Sequence, residues 1–155
     1  MSIDTLFSIC NMLPIPLWLL LVFVPRWKGT QLIVHSMIIP MGLAVVYGIL
    51  MISGFGETNG GGFGSIEGIR TLFESDKALL AGWIHYLVFD LFVGAWEVRD
   101  AQRLRINHWL VIPCLLFTLM AGPVGLLLYF VLRWTLGKQP FIDERVGVEP
   151  ATSQA

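Results

Sequence analysis

Charge is scarce in this sequence. Of its 155 residues, 14% are charged and 55% are hydrophobic, and the formal net charge is −1. The apolar residues fall in long runs and not in amphipathic stripes. That pattern excludes an ordinary soluble core and points to a polytopic membrane protein, read here as one domain. No block of Lys and Arg is present, so nucleic acid is not an expected partner. Cysteine is nearly absent: Cys10 and Cys114 each sit inside an apolar run. By the topology below they lie in opposite halves of a bilayer. A disulfide needs Cα atoms within about 7 Å, so two free, buried thiols are expected. His35, His85 and His108 show no HxxH, HxxxH or HExxH spacing. Neither a metal nor any other cofactor is therefore expected, and no GxSxG nucleophile signal appears. The start, MSIDTLF, is acidic where a signal peptide is basic, and no small-x-small cleavage site follows it. It is expected to remain as the first span. No internal repeat is evident, which weighs against the duplicated architecture common among transporters.

Four apolar runs are present. A hydrocarbon core about 30 Å thick needs about 20 apolar residues in a helix. Residues 3–24, 31–53, 78–97 and 108–132 qualify, and the expected fold is an all-α, four-transmembrane-helix bundle over residues 1–135. Residues 136–155 read as a polar, disordered tail. The basic residues Arg26, Lys28, Arg99, Arg103 and Arg105 fall on one side of such a bundle. Arg70, Lys77, Arg133, Lys138 and Arg145 fall on the other. The count is tied, and the first span then favours both termini outside. The stretch EVRDAQRLR reads as a solvated, salt-bridged helix end.

The glycine-rich segment between the second and third runs lacks GxxxxGK[ST] and is not a phosphate loop. It reads as a flexible stretch followed by a short interfacial helix capped by Ser65. Ile66, Ile69, Leu72 and Phe73 share one face of that helix. Glu67, Arg70 and Glu74 look toward water.

The third run raises the chemical question, because it carries His85 and Asp90. An Asp at membrane depth costs about 2.5–3.5 kcal/mol on insertion scales. Such residues pair, line a cavity or react. The two are five residues apart, about 140° round a helix and about 7.5 Å along it. They are expected to face the bundle interior. Depth matching suggests the pairs His85–Asn11 and Asp90–Thr118. Pro14, Pro16, Pro40 and Pro123 interrupt the other three runs and would bend them round this straight polar helix, opening a cavity. His85 and Asp90 are the candidate catalytic residues. Asn11, Tyr47, Trp83, Tyr86 and Thr118 are the candidate substrate-binding residues. A purely helix-bonding role for the ionisable pair stays open at this point.

The stretches LLAGWIHYLVFDLFVGAWEVRDA and PCLLFTLMAGPVGLLLYFVLR, with FGSIEGIRTLF before them, resemble the abscisic-acid-deficient-4-like family of small membrane proteins. The resemblance covers about residues 5–135. Plant members are implicated in converting violaxanthin to neoxanthin, an isomerisation in which an epoxide opens and an allene forms. The resemblance therefore implies a role in carotenoid metabolism, with a carotenoid or other isoprenoid lipid and the bilayer itself as partners. No plastid transit peptide precedes the first span, so a bacterial inner membrane is the expected location. Opening an epoxide needs a proton donor and forming an allene needs a base, roles that Asp90 and His85 could fill. Two other classes stay open: a non-catalytic pigment- or lipid-binding or assembly protein, and a small proton-coupled transporter working as a homo-oligomer with Asp90 as carrier.

Overall fold

The computed structural model describes residues 2–36, 38–54, 57, 60–138 and 142. Every element among them is a helix: α1 (Ile3–Met12), α2 (Pro14–Phe23), α3 (Lys28–Ile33), α4 (Ile38–Gly54), α5 (Ile66–Leu72), α6 (Asp76–Arg103) and α7 (His108–Thr135). Four helical stretches are long and apolar enough to cross a membrane: Ile3–Phe23, Lys28–Gly54, Asp76–Arg103 and His108–Thr135. The expected spans match these to within a few residues, except that α6 continues through the EVRDAQR stretch to Arg103. Nearly all of the expected disordered tail lies outside the described residues.

The prolines mark the breaks. Pro14 opens α2 directly after the break at Leu13. Its missing N–H falls where a helix start leaves donors unsatisfied anyway. Pro40 lies in the first turn of α4, beyond the gap that separates α3 from α4. α6 contains no proline and runs unbroken for 28 residues. At 1.5 Å per residue it is about 42 Å long, so its ends pass beyond a hydrocarbon core of about 30 Å.

The chain divides into two compact units, Met1–Phe92 and Val93–Ala155, with α6 running from the first into the second. In the first unit, Cys10 of α1, Leu43 and Leu50 of α4, and Leu80, Ala81 and Ile84 of α6 form one buried cluster. The seven-residue spacing of Leu43 and Leu50 puts both on one face of α4. The turn between α2 and α3 is closed by side chains. Thr30 Oγ1 donates to the Val24 carbonyl at 2.7 Å, and Gln31 Nε2 donates to the Pro25 carbonyl at 3.2 Å. α5 is the expected short helix, and Ser65 Oγ caps it by accepting from the Gly68 N–H at 3.0 Å. Its Glu67 and Arg70 pair on the exposed side, while Leu72 is buried.

The second unit departs from expectation. α7 is not one straight span. Thr118 bonds Glu97, whereas Tyr129 and Arg133 both bond Asp100. Glu97 and Asp100 are only about 4.5 Å apart along α6, but a straight helix would separate Thr118 from Arg133 by about 22 Å. The chain therefore doubles back, and it does so at Ala121, whose φ −154° and ψ 49° are not helical. Pro123 explains the position: its ring and missing N–H disrupt the preceding turn. Gly125 permits the close return, since a Cβ there would come within 2.1 Å of the Thr118 backbone nitrogen. Gly137 ends up against Leu104 and Ile106, at the mouth of the hairpin. Each arm is about 20 Å long, too short to cross and typical of a re-entrant segment.

A re-entrant fourth stretch does not cross by itself, so the hairpin predicts termini on opposite sides of a membrane, against the expectation of both termini outside. Reporter fusions at the N-terminus and after Lys138, expressed in a bacterial host, should report opposite compartments, the latter cytoplasmic. Reports from the same compartment would overturn the hairpin. Gly125→Ala should destabilise the protein by about 1–3 kcal/mol or more through overpacking, measured by thermal unfolding in detergent.

Candidate functional site

In the first unit, a groove of about 600 Å³ opens between the start of α1, the end of α5 and the first three turns of α6. Its volume is in the range of small-molecule sites. Phe7, Phe73, Leu79, Trp83 and Tyr86 supply its apolar walls, and Asp4 and Asp76 stand among its lining. The aromatic rings hold one another in place. Trp83 lies 6.3 Å from Phe7 and 5.4 Å from Tyr86, centroid to centroid. Phe73 reaches α6 only because residue 82 is glycine: a Cβ there would meet the Phe73 ring at 2.9 Å. Glu57 fastens the preceding loop nearby, bonding Lys77 and, at 3.0 Å, accepting from Ser75 Oγ. The Lys77 ammonium, then the Ser75 hydroxyl, hold the Glu57 carboxyl below its usual range.

The candidate residues of the first unit distribute unequally. Trp83 and Tyr86 line the groove. Asn11 accepts a hydrogen bond from Trp83 Nε1 at 3.0 Å, so it orients that indole and does not pair with His85. Tyr47 stacks on His85 at 5.7 Å, and His85 stacks on Phe89 at 4.5 Å. His85 is exposed on the chain's surface, not interior as expected. The 140° between it and Asp90 carries the two to different faces, and here Asp90 alone is buried. Asp90 is 8% exposed and takes its hydrogen bond from the Tyr86 hydroxyl, one helical turn earlier. Its Oδ2 has no hydrogen-bond partner among the described residues. A buried carboxylate oxygen left in that state calls for an explanation, and one explanation is a ligand or a transferable proton.

The second unit holds a buried polar cluster that sequence reasoning missed. Thr118 Oγ1 donates to both oxygens of Glu97, at 3.0 and 3.2 Å, instead of reaching Asp90. Asp100 Oδ2 accepts from the Tyr129 hydroxyl and from Arg133 Nε, both at 2.7 Å. Its Oδ1 accepts from Arg103 at 2.5 Å. Glu97, Thr118, Tyr129 and Arg133 are fully buried, and Asp100 is 4% exposed. The EVRDAQRLR stretch is thus salt-bridged as expected but only partly solvated: Arg99 and Arg105 are exposed, whereas Glu97 and Asp100 are buried. Three donors converge on one carboxylate, the arrangement that makes a buried ion pair tolerable. Trp96 sets its edge against the Tyr129 ring at 5.4 Å and 82°. The signal was present in the spacing: Tyr129 and Arg133 stand one turn apart in an otherwise apolar helix, as Glu97 and Asp100 nearly do in α6. Both cysteines are free and buried, as expected. Among the described residues, no three His, Cys, Asp or Glu side chains gather to hold a metal ion.

A family model described as ABA DEFICIENT 4-like matches residues 5–129. The chain belongs to the ABA DEFICIENT 4-like family. The match takes in most of the groove, the Tyr86–Asp90 pair and most of the Asp100 cluster. Among curated proteins, the protein ABA DEFICIENT 4, chloroplastic, of Arabidopsis thaliana is 30% identical over 145 residues. The alignment covers 88% of this chain and 64% of that protein. The chain therefore spans a little under two thirds of its relative's length. That relative is chloroplastic, which lends no support to a bacterial inner membrane. No solved structure matches.

Arg133→Met should strand the Asp100 charge and lower stability by about 3 kcal/mol, read as the thermal midpoint in detergent. Adding Asp100→Asn should recover part of the loss, because the two residues act as one unit. Additive losses would show that the pair is not coupled.

Proposed function

We propose that this chain is an integral-membrane isomerase of carotenoid metabolism, with its end-ring substrate in the Phe7–Trp83–Tyr86 groove. Family membership supports the substrate class. One observation carries the chemistry: Tyr86 both lines the groove and hydrogen-bonds Asp90, whose second oxygen is unspent. The acid–base pair is therefore assigned to Tyr86 and Asp90, in place of His85 and Asp90. The step on an epoxy-carotenoid balances within that pair. Starting from the protonated acid, a proton passes from Asp90 through the Tyr86 hydroxyl to the epoxide oxygen as a C–O bond breaks. Loss of a proton from the adjacent polyene carbon to the emptied site then forms the allene. The two transfers cancel, and no electrons enter or leave. Trp83, oriented by Asn11, packs against the ring being turned over. Thr118 serves Glu97 and has no part in this step.

The test is pigment chromatography from hosts that make different carotenoids, including an epoxide. Wild-type protein should yield a new pigment of unchanged mass. Asp90→Asn should lower its formation by about a hundredfold or more, in line with loss of a general acid–base group. Tyr86→Phe should lower it by about tenfold, and His85→Ala should leave most of it. An unchanged pigment profile with pigment co-purifying would make this a binding protein. Equal activity in all four proteins would move the chemistry elsewhere.

A further inference from the structure

A second, smaller cleft lies on α6 near its C-terminal end. It has a volume of about 190 Å³ and is lined by Trp96, Arg99, Asp100 and Arg103. Its floor is already fixed. The Asp100 carboxylate is held by Arg103, Arg133 and Tyr129 and has no oxygen to spare for a cation. Its walls are not spent. Arg99 is exposed and makes no ion pair or hydrogen bond among the described residues. Trp96 makes ring contacts with Tyr129 and Phe130, and its indole N–H has no acceptor there. Two unengaged donors thus share one cleft over a neutralised carboxylate. The charge balance favours an anion: Arg99, Arg103 and Arg133 stand against Asp100 and the buried Glu97.

We propose that this cleft binds the phosphate of an anionic membrane phospholipid. Position argues for a lipid source. α6 is longer than the hydrocarbon core by about 12 Å, so the stretch from Trp96 to Arg103 reaches the headgroup layer. Trp is the residue that settles at that depth. The same end of α6 carries Arg99 and Arg103, with Arg105 just beyond it, and clustered basic residues next to a span are what attract anionic lipids. The Arg99 guanidinium offers the forked donor geometry that matches two phosphate oxygens, and the Trp96 N–H supplies a third bond. The lipid chains then run down the apolar outer face of the helix.

The probe is phosphatidylglycerol, measured by native mass spectrometry and by thermal shift of the full chain in a zwitterionic detergent. Wild-type protein should retain phosphatidylglycerol and gain stability from it, while phosphatidylcholine should do neither. Arg99→Gln should weaken retention by about fivefold, the worth of one interfacial arginine. Trp96→Phe should weaken it to a smaller extent without removing charge. Arg26→Gln with Lys28→Gln removes two basic residues of another connection and should leave retention unchanged. Equal losses in that double variant would reduce the effect to general basic charge and overturn the site. Retention unaffected by Arg99→Gln and Trp96→Phe would overturn it as well. Displacement by millimolar inorganic phosphate would assign the cleft to a free anion and not to a lipid. Gel filtration of each variant separates loss of binding from loss of fold.

Discussion

The Asp100 carboxylate holds the end of this protein back on itself. Buried away from water a lone carboxylate is costly, and so is a lone guanidinium. Asp100 is carried in by α6, whose neighbouring residues Val98 and Ala101 are buried. Arg133 is carried by a helix that, left straight, would take it far away. Each charge makes the other's burial acceptable, and Tyr129 and Arg103 complete the coordination of the carboxylate. The hairpin at Ala121 is the backbone solution to that electrostatic requirement. Pro123 weakens the helix at the right turn, and Gly125 lets the returning arm touch Thr118. The reversal of the chain within the second unit follows from one ion pair and one proline.

The first unit is organised by packing and not by charge. Its core of Cys10, Leu43, Leu50, Leu80, Ala81 and Ile84 joins α1, α4 and α6 without a polar bond. The groove is what this packing leaves open beside the start of α6. Gly82 makes room for Phe73, and the Asn11–Trp83 hydrogen bond keeps a large indole from closing the space. A polar contact of that kind between side chains in a membrane is of modest strength, about 0.6–2 kcal/mol. It is enough to choose one orientation of an aromatic ring.

Much of the fold was legible in the sequence. Hydropathy located the four long helical stretches, and Pro14 and Pro123 stand beside two of the breaks. Ser65 announced the cap of α5. The hairpin was not legible because hydropathy measures how much apolar length exists, not whether it is straight. Pro123 read as a bend, and only the pairing of Arg133 with Asp100 shows the bend to be a reversal. The same blindness hid the polar cluster. EVRDAQR has the composition of a solvated end, and composition cannot reveal that its partners lie in an apolar run thirty residues on. The candidate site was half legible. Of the residues chosen by depth and type, Trp83 and Tyr86 line the groove and Asp90 is buried. Their partners were not legible, because depth matching treats helices as parallel rods and ignores azimuth. Asn11 therefore meets Trp83, two residues before the histidine it was expected to meet.

The carboxylates of α6 divide by how completely they are satisfied, and that division separates structure from chemistry. Glu97 receives a hydroxyl shared between both its oxygens, and Asp100 receives three donors on two oxygens. Carboxylates bonded at both oxygens are held in one position, which suits a pin and not a reactant. Asp90 receives one phenol and leaves an oxygen idle, although it is no more exposed than a core leucine such as Leu87. Evolution of a bundle for stability alone would favour an apolar residue there, since replacing an incompletely bonded buried carboxylate by a hydrophobic side chain is neutral or stabilising. The arrangement makes physical sense when the idle oxygen has a transient use, and the phenol that connects Asp90 to the groove supplies the route by which a substrate could reach it.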